Sequence, residues 1–240
     1  MTTRVAVLGP GATDAADTVR AAGGTVVGAP ADADVLVALG EDALLDAAAA
    51  DEQFAPVLPV GAGREYGGVA PSDREAALDA VAAGDFVVRD RQTFAVSTPD
   101  RGARALADAT LVTTEPAKIS EYTVTAGDDR EVASVRADGV VAATPTGSRG
   151  YATDAGGPRL DPEVDAAAVV PIAPFRVDRT NWVVEPPLSI TVVRDEATVE
   201  LHVDGRTRGE IDVGDGVTLS RGAPLSVAAV PASRRPPQGD

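Results

Sequence analysis

Residues 136–158 constrain this chain more than any other stretch: Arg-Ala-Asp-Gly-Val-Val-Ala-Ala-Thr-Pro-Thr-Gly-Ser-Arg-Gly-Tyr-Ala-Thr-Asp-Ala-Gly-Gly-Pro. Val140, Val141, Ala142 and Ala143 form a short apolar run that reads as a strand. The strand must stop at Thr144-Pro145, because proline has no N–H for a ladder and pushes the residue before it extended. Thr146, Gly147 and Ser148 then make a turn rich in hydroxyls and backbone N–H groups, a combination suited to sugar hydroxyls and phosphate oxygens. A tight structural turn between two elements is the competing reading. The next segment carries Arg149, Tyr151 and Asp154 and closes on Gly156-Gly157-Pro158.

The chain of 240 residues suffices for one large domain or two modest ones. Up to residue 86, apolar runs alternate with helical patterns. Residues 4–9 read as a first strand, 24–29 as a second and 35–39 as a third, the last with Val35, Leu36, Val37, Ala38 and Leu39 in a row. Unbroken apolar runs suit strands covered on both faces of a parallel sheet. Residues 43–50 and 75–83 read as helices, the second stopped by Gly84. Gly9-x-Gly11 lacks the spacing of a dinucleotide fingerprint and reads as a strand-to-helix turn. Residues 1–86 are therefore predicted to form an α/β domain with a parallel sheet. From 87 to 232 short strands dominate, separated by turns such as Asp204-Gly205 and Gly214-Asp215-Gly216, which predicts a β-rich, β-sandwich-like domain. Residues 233–240, rich in Pro, Gly and Arg, are expected to be a disordered tail.

Charge and composition narrow the function. The formal net charge is -16 and only 3% of residues are aromatic. A uniformly acidic surface repels phosphate backbones and argues against nucleic acid. The same balance suits a salt-rich cytoplasm, where screening tolerates self-repulsion. There is no cysteine, so disulfides, thiolate metal sites and a cysteine nucleophile are excluded, and a reducing, cytoplasmic setting is the expectation. No apolar stretch has the length of a membrane span, and no membrane partner is expected. The one histidine, His202, sits in a strand pattern and is read as structural or exposed.

The 136–158 stretch resembles the signature of the NAD kinase family: Asp-Gly, a few apolar residues, Thr-Pro-Thr-Gly-Ser with a following Tyr, then Gly-Gly-Pro. Further stretches resemble the family in the same order. Leu39-Gly40-Glu41-Asp42-Ala43 stands where the family has Gly-Gly-Asp-Gly after a strand, with Glu41 and Ala43 in place of two glycines. Thr114-Glu115 stands for Asn-Glu. Pro171-Ile172-Ala173-Pro174-Phe175 resembles Pro-Ile-Ala-Pro-His, with Phe175 for His. Val203-Asp204-Gly205-Arg206 resembles Val-Asp-Gly-Gln, with Arg206 for Gln.

The resemblance implies transfer of the γ-phosphate of ATP, or of polyphosphate, to the 2′-hydroxyl of NAD. Asp42 would be the base, with an equally good reading as helix cap. Thr114, Glu115, Arg136, Asp138, Ser148, Arg149, Tyr151, Asp154 and Arg206 would bind NAD. Gly40, Thr146 and Gly147 would contact phosphate, and Mg²⁺ would arrive with ATP. Relatives of this kind assemble as homodimers or homotetramers. The alternative is a catalytically impaired relative that binds a dinucleotide or nucleotide in a regulatory role, favoured by Glu41 and Ala43. A kinase for another diol-bearing substrate is disfavoured by the Thr-Pro-Thr-Gly-Ser run.

Overall fold

The computed structural model describes residues 2–50, 55–63, 65–116, 118–127, 129–175 and 181–233. They divide into two compact units, Met1–Arg91 with Pro224–Asp240, and Gln92–Ala223. The first unit begins with β1 (Arg4–Leu8), α1 (Ala12–Ala21), β2 (Thr25–Val26), β3 (Val35–Leu39), α2 (Glu41–Ala49), β4 (Val57–Val60), α3 (Arg74–Ala82) and β5 (Val87–Arg91). The second carries β6 (Phe94–Ser97), β7 (Gly102–Ala105), β8 (Asp108–Thr113), β9 (Ser120–Ala126), β10 (Arg130–Ala137), β11 (Gly139–Ala143) and α4 (Tyr151–Asp154). It continues with β12 (Ala167–Ile172), β13 (Trp182–Val184), β14 (Leu188–Arg194), β15 (Val199–Val203), β16 (Arg206–Ile211) and β17 (Gly216–Arg221), and β18 (Leu225–Ala229) returns to the first unit.

The first sheet has the order β2-β1-β3-β4-β18-β5. β1 to β4 run parallel, and β3 is buried at every position, as its unbroken apolar sequence requires. β18 pairs parallel with β4 and antiparallel with β5. The division therefore differs from the one expected at residue 86: β5 closes the first sheet, and residues 225–229, read as the end of the β-rich domain, fill the gap between β4 and β5. The alternation of Leu225, Val227 and Ala229 shows a strand but does not name its partner. The expected tail lies outside the described residues from 234 on, whereas Ser233 bridges Val69. Gly9 lies against the Leu39 carbonyl with no room for a Cβ, so Gly9-x-Gly11 serves the β1–α1 turn, as expected.

The second unit holds two six-stranded sheets, β10-β9-β14-β17-β6-β7 and β13-β12-β11-β8-β15-β16. Phe94, Tyr122, Ile190 and Leu219 from one face Leu111, Val140, Val169 and Leu201 from the other in one buried core. β11 shows why its sequence is unbroken. Val140 and Ala142 enter that core, while Val141 and Ala143 enter a second cluster with Ala152, Leu160, Ala168 and Val170. Side chains alternate along a strand, so an antiparallel strand covered on both faces needs apolar residues at every position. β8, central to the same sheet, escapes the sequence pattern because Ala109 and Leu111 alternate with Asp108 and Thr110 on its other face, and Thr113 ends the apolar one. Among the described residues no helix is long and apolar enough to cross a membrane.

Candidate functional site

In the first unit, β3 ends at Gly40, whose φ of 87° allows the sharp entry into α2. The Gly40 N–H donates to the Val60 carbonyl at 2.8 Å, tying this corner to β4. The N-cap of α2 is Gly40, and Asp42 is the second residue of the helix, not its cap. Asp42 is exposed on the first turn. Glu41 and Ala43 also lie inside α2, and neither has a positive φ. A side chain at either position therefore meets no backbone strain: the residue with the positive φ is Gly40, which is retained. Ala43 is buried, beside the space a Gly9 side chain would fill. Glu41 is exposed, and its Oε1 accepts a hydrogen bond at 3.0 Å from the Tyr66 hydroxyl. Tyr66 itself is buried, on the loop after β4.

In the second unit the predicted residues separate to the two ends of β11. At its first end, the Thr113 N–H donates to the Asp138 carbonyl at 2.8 Å, and the Asp138 N–H donates to the Ile172 carbonyl at 3.0 Å. The exposed pair Thr114 and Glu115, following β8, therefore stands beside Asp138 and the end of β12. The Phe175 N–H donates to the Arg136 carbonyl at 2.9 Å. The Arg136 guanidinium stacks over the exposed Phe175 ring at 5.4 Å, and also lies 3.8 Å from Glu196. α4 crosses the face of the sheet and brings Tyr151 and Asp154 to this same end. There they line a cleft of about 340 Å³ with Ile172, Ala173, Pro174 and Asn181. Asn181 donates to the Gly156 carbonyl at 2.7 Å, and Ala173 holds a φ of 46°.

At the other end of β11, roughly 17 Å away along a five-residue strand, the turn 144–148 is closed rather than open. The Thr144 hydroxyl, wholly buried, donates to the Leu106 carbonyl at 2.6 Å and accepts the Gly147 N–H at 3.1 Å. Gly147 packs so closely that a Cβ would sit 2.0 Å from the Ala107 oxygen. Ser148 is fully buried: its hydroxyl donates to the Pro145 carbonyl at 2.8 Å and accepts the Leu160 N–H at 2.9 Å. Thr146 is buried too. The Gly147 N–H and the Ser148 hydroxyl, both expected to meet a ligand, are thus engaged within the protein, with Thr146 buried beside them. They lock a turn whose product is the placement of Arg149, Tyr151 and Asp154. Arg149 is part-buried and donates to the Leu160 carbonyl at 3.3 Å. Arg206 opens β16, opposite Val203, in the hairpin that shares this end of the sheet.

Asp204, in that hairpin with φ 50°, is the anchor that sequence reasoning passed over. Its carboxylate accepts the N–H groups of Leu106, Ala107 and Asp108 at 2.9, 2.7 and 3.1 Å. Burial nevertheless holds its pKa above the usual carboxylate value. Asp108 is buried as well and is pushed up to about 6, first by desolvation, with Asp204 adding to the shift and Thr110 and His202 opposing it. The signal available was Asp-Gly between two strand patterns, which announces a hairpin but not what its carboxylate holds.

A second cleft, of about 740 Å³, lies in the first unit and is lined by Asp14, Asp17, Glu75 and Asp79. Four carboxylates make it unsuited to a phosphate-bearing ligand. Among the described residues no group of His, Cys, Asp or Glu has the arrangement of a metal site.

Comparison with known proteins bears on the family and the fold. A family model described as the ATP-NAD kinase C-terminal domain matches residues 106–229. An NAD kinase of Methanothermobacter thermautotrophicus is 32% identical over 196 residues, covering 79% of this chain and 69% of that protein. One from Symbiobacterium thermophilum is 33% identical over 208 residues, covering 82% and 73%. In fold, the chain resembles the crystal structure of an NAD kinase from Archaeoglobus fulgidus in complex with ATP (TM-score 0.75, 24% identity, 94% of this chain and 92% of that one). It resembles equally that of yeast NADH kinase complexed with NADH (TM-score 0.75, 18% identity, 96% and 84%). With its motifs in the family's order, more than half its length matched by the family model, and relatives aligned across most of both chains, this chain belongs to the NAD kinase family.

Proposed function

We propose that this chain transfers the γ-phosphate of ATP to the 2′-hydroxyl of NAD, giving NADP and ADP. The observation that carries the reading is the Gly40–Asp42 corner. The glycine with the positive φ and the aspartate are both present, and Asp42 stands exposed on the first turn of α2. In the step proposed, the Asp42 carboxylate takes the 2′-hydroxyl proton as that oxygen attacks the γ-phosphorus, and the bond from phosphorus to the β,γ-bridging oxygen breaks. The remaining work is positioning. Glu115 accepts ribose hydroxyls, Thr114 and Asp138 hold the nucleotide from the first end of β11, and Tyr151 and Asp154 hold it from the neighbouring cleft. Mg²⁺ comes with the triphosphate as part of the substrate. Polyphosphate is a second donor that the assay includes.

The catalytically impaired alternative rested on Glu41 and Ala43, and both fit a helical backbone without strain. We further propose a cytoplasmic homodimer or homotetramer adapted to high salt. The family resemblance supports the assembly, and the net charge of -16 and absence of cysteine support the setting.

The deciding experiment is NADP formation from NAD with MgATP, and with polyphosphate, in high salt. Asp42→Asn is expected to lower turnover by about 10²- to 10⁴-fold with NAD binding retained by calorimetry. Unchanged turnover removes Asp42 from the role of base. No product from the wild-type protein overturns the reading.

A further inference from the structure

Glu41 puts a carboxylate next to the proposed base, at a corner where the proposed donor brings three phosphates. Like charges within a few ångströms repel, and a carboxylate at the first residue of a helix also competes for the unpaired N–H groups there. The structure holds Glu41 in one place. Its Oε1 accepts the Tyr66 hydroxyl at 3.0 Å, and Tyr66 is only 5% exposed, so the donor cannot swing out to follow a moving partner. The loop bearing Tyr66 is itself pinned. The Gly61 N–H donates to the Val69 carbonyl and the Val69 N–H to the Pro59 carbonyl, both at 2.8 Å, and Gly68 presses on Pro59 with no space for a Cβ. Val60 then ties the end of β4 to Gly40. Successive residues of an α-helix project about 100° apart. A Glu41 carboxylate anchored to the β4 loop is thereby kept on a different side of α2 from Asp42.

We infer that Tyr66 is a positioning residue: through its hydroxyl it restrains the Glu41 carboxylate and keeps the donor-phosphate side of the Gly40–Asp42 corner free of it. This deepens the phosphotransfer reading and rests on it. Tyr66 touches no reacting atom in this role. The Gly-to-Glu change is tolerated in this chain because the loop after β4 supplies a buried hydroxyl to receive it.

The test is a double-mutant cycle on the full chain, with steady-state kinetics in MgATP and NAD and a thermal melt of each variant. Tyr66→Phe keeps the ring and removes the hydroxyl. It is expected to raise KM for MgATP by about five-fold, the scale of one net intramolecular hydrogen bond, with kcat changed less than two-fold. Glu41→Gly alone should move KM less than Tyr66→Phe does. In the Glu41→Gly and Glu41→Gln backgrounds, Tyr66→Phe should leave KM unchanged. A merely structural Tyr66 would lower the melting temperature equally in all three backgrounds and leave the KM-against-kcat split unmoved, and that result overturns the inference. Unaltered KM in Tyr66→Phe with active wild-type protein overturns it alone. Inactive wild-type protein overturns the phosphotransfer reading, and this inference with it.

Discussion

Asp204 and Thr144 grip the same dipeptide from its two hydrogen-bonding sides. The Asp204 carboxylate accepts the N–H groups of Leu106 and Ala107, while the Thr144 hydroxyl donates to the Leu106 carbonyl and the Thr144 N–H to the Ala107 carbonyl. Two motifs about sixty residues apart in the chain thus meet at residues 106–107, and the turn 144–148 takes its geometry from that meeting. Asp204→Ala leaves three N–H groups without their acceptor. It should destabilise the protein by about 2–4 kcal/mol in urea titrations, more than Asp204→Asn, which keeps one carbonyl oxygen. Equal effects would show that the three bonds are not the anchor.

Gly147→Ala should be worse than its size suggests. Its Cβ would lie 2.0 Å from the Ala107 oxygen, a backbone atom that cannot give way cheaply. The turn must move, and Arg149, Tyr151 and Asp154 move with it. Calorimetry should show NAD affinity reduced at least about ten-fold, alongside a lower melting temperature.

Ser148 and Tyr151 stand three residues apart and should separate cleanly. Ser148→Ala removes a buried hydroxyl that serves both Pro145 and Leu160, so it should cost about 1–3 kcal/mol of stability. Tyr151 is 48% exposed at the rim of the cleft. Tyr151→Ala should leave the melt within about 0.5 kcal/mol and weaken NAD binding several-fold. The opposite assignment of effects would make Ser148 the ligand contact.

Asp108 makes stability depend on pH in a stated direction. Its folded pKa of about 6 lies above the ordinary 3.8, so the fold binds its proton more tightly than the unfolded chain does. The stability this contributes is complete below the unfolded value and is lost as pH rises through the folded one, about 3 kcal/mol across that window. Asp204 and His202 face the same group, the first opposing and the second favouring its ionisation. Asp108→Asn, able to keep the bond from Thr110, should match the wild-type protein near pH 4 and exceed it above pH 7 in urea titrations. A wild-type curve with no loss from this group between pH 4 and 7 contradicts the assignment.

Salt should stabilise the whole chain. With a net charge of -16, shortening the screening length from about 10 Å at 0.1 M salt to about 3 Å at 1 M weakens self-repulsion. The melting temperature should rise steadily across that range in KCl, and a flat response would speak against adaptation to high salt.

Periodicity and turn chemistry reach only so far into such a molecule. β3 and β12 are legible because every position is apolar, and the strand at 140–143 ends where Pro145 ends it. Gly40 and Asp42 are legible through the family resemblance, whereas the start of α2 at Glu41, two residues before the helix expected from 43, is not. Burial of side chains and pairing of strands are decided by residues distant in sequence, and no local pattern reports them. Hence the Ser148 hydroxyl, which looks like a ligand group beside Pro145, turns inward to the Pro145 carbonyl and the Leu160 N–H. Hence too Glu41, a repulsive charge on paper, finds Tyr66 twenty-five residues on. The sequence by itself determined most of the order of elements, β8 excepted, the α/β and β-rich halves, and the family, and through the family resemblance the place of Gly40 and Asp42. The tertiary structure decided that β18 returns to the first sheet, that β11 sorts the predicted residues to two ends, and that Asp204 holds the turn, because each depends on contacts that exist only once the chain has folded.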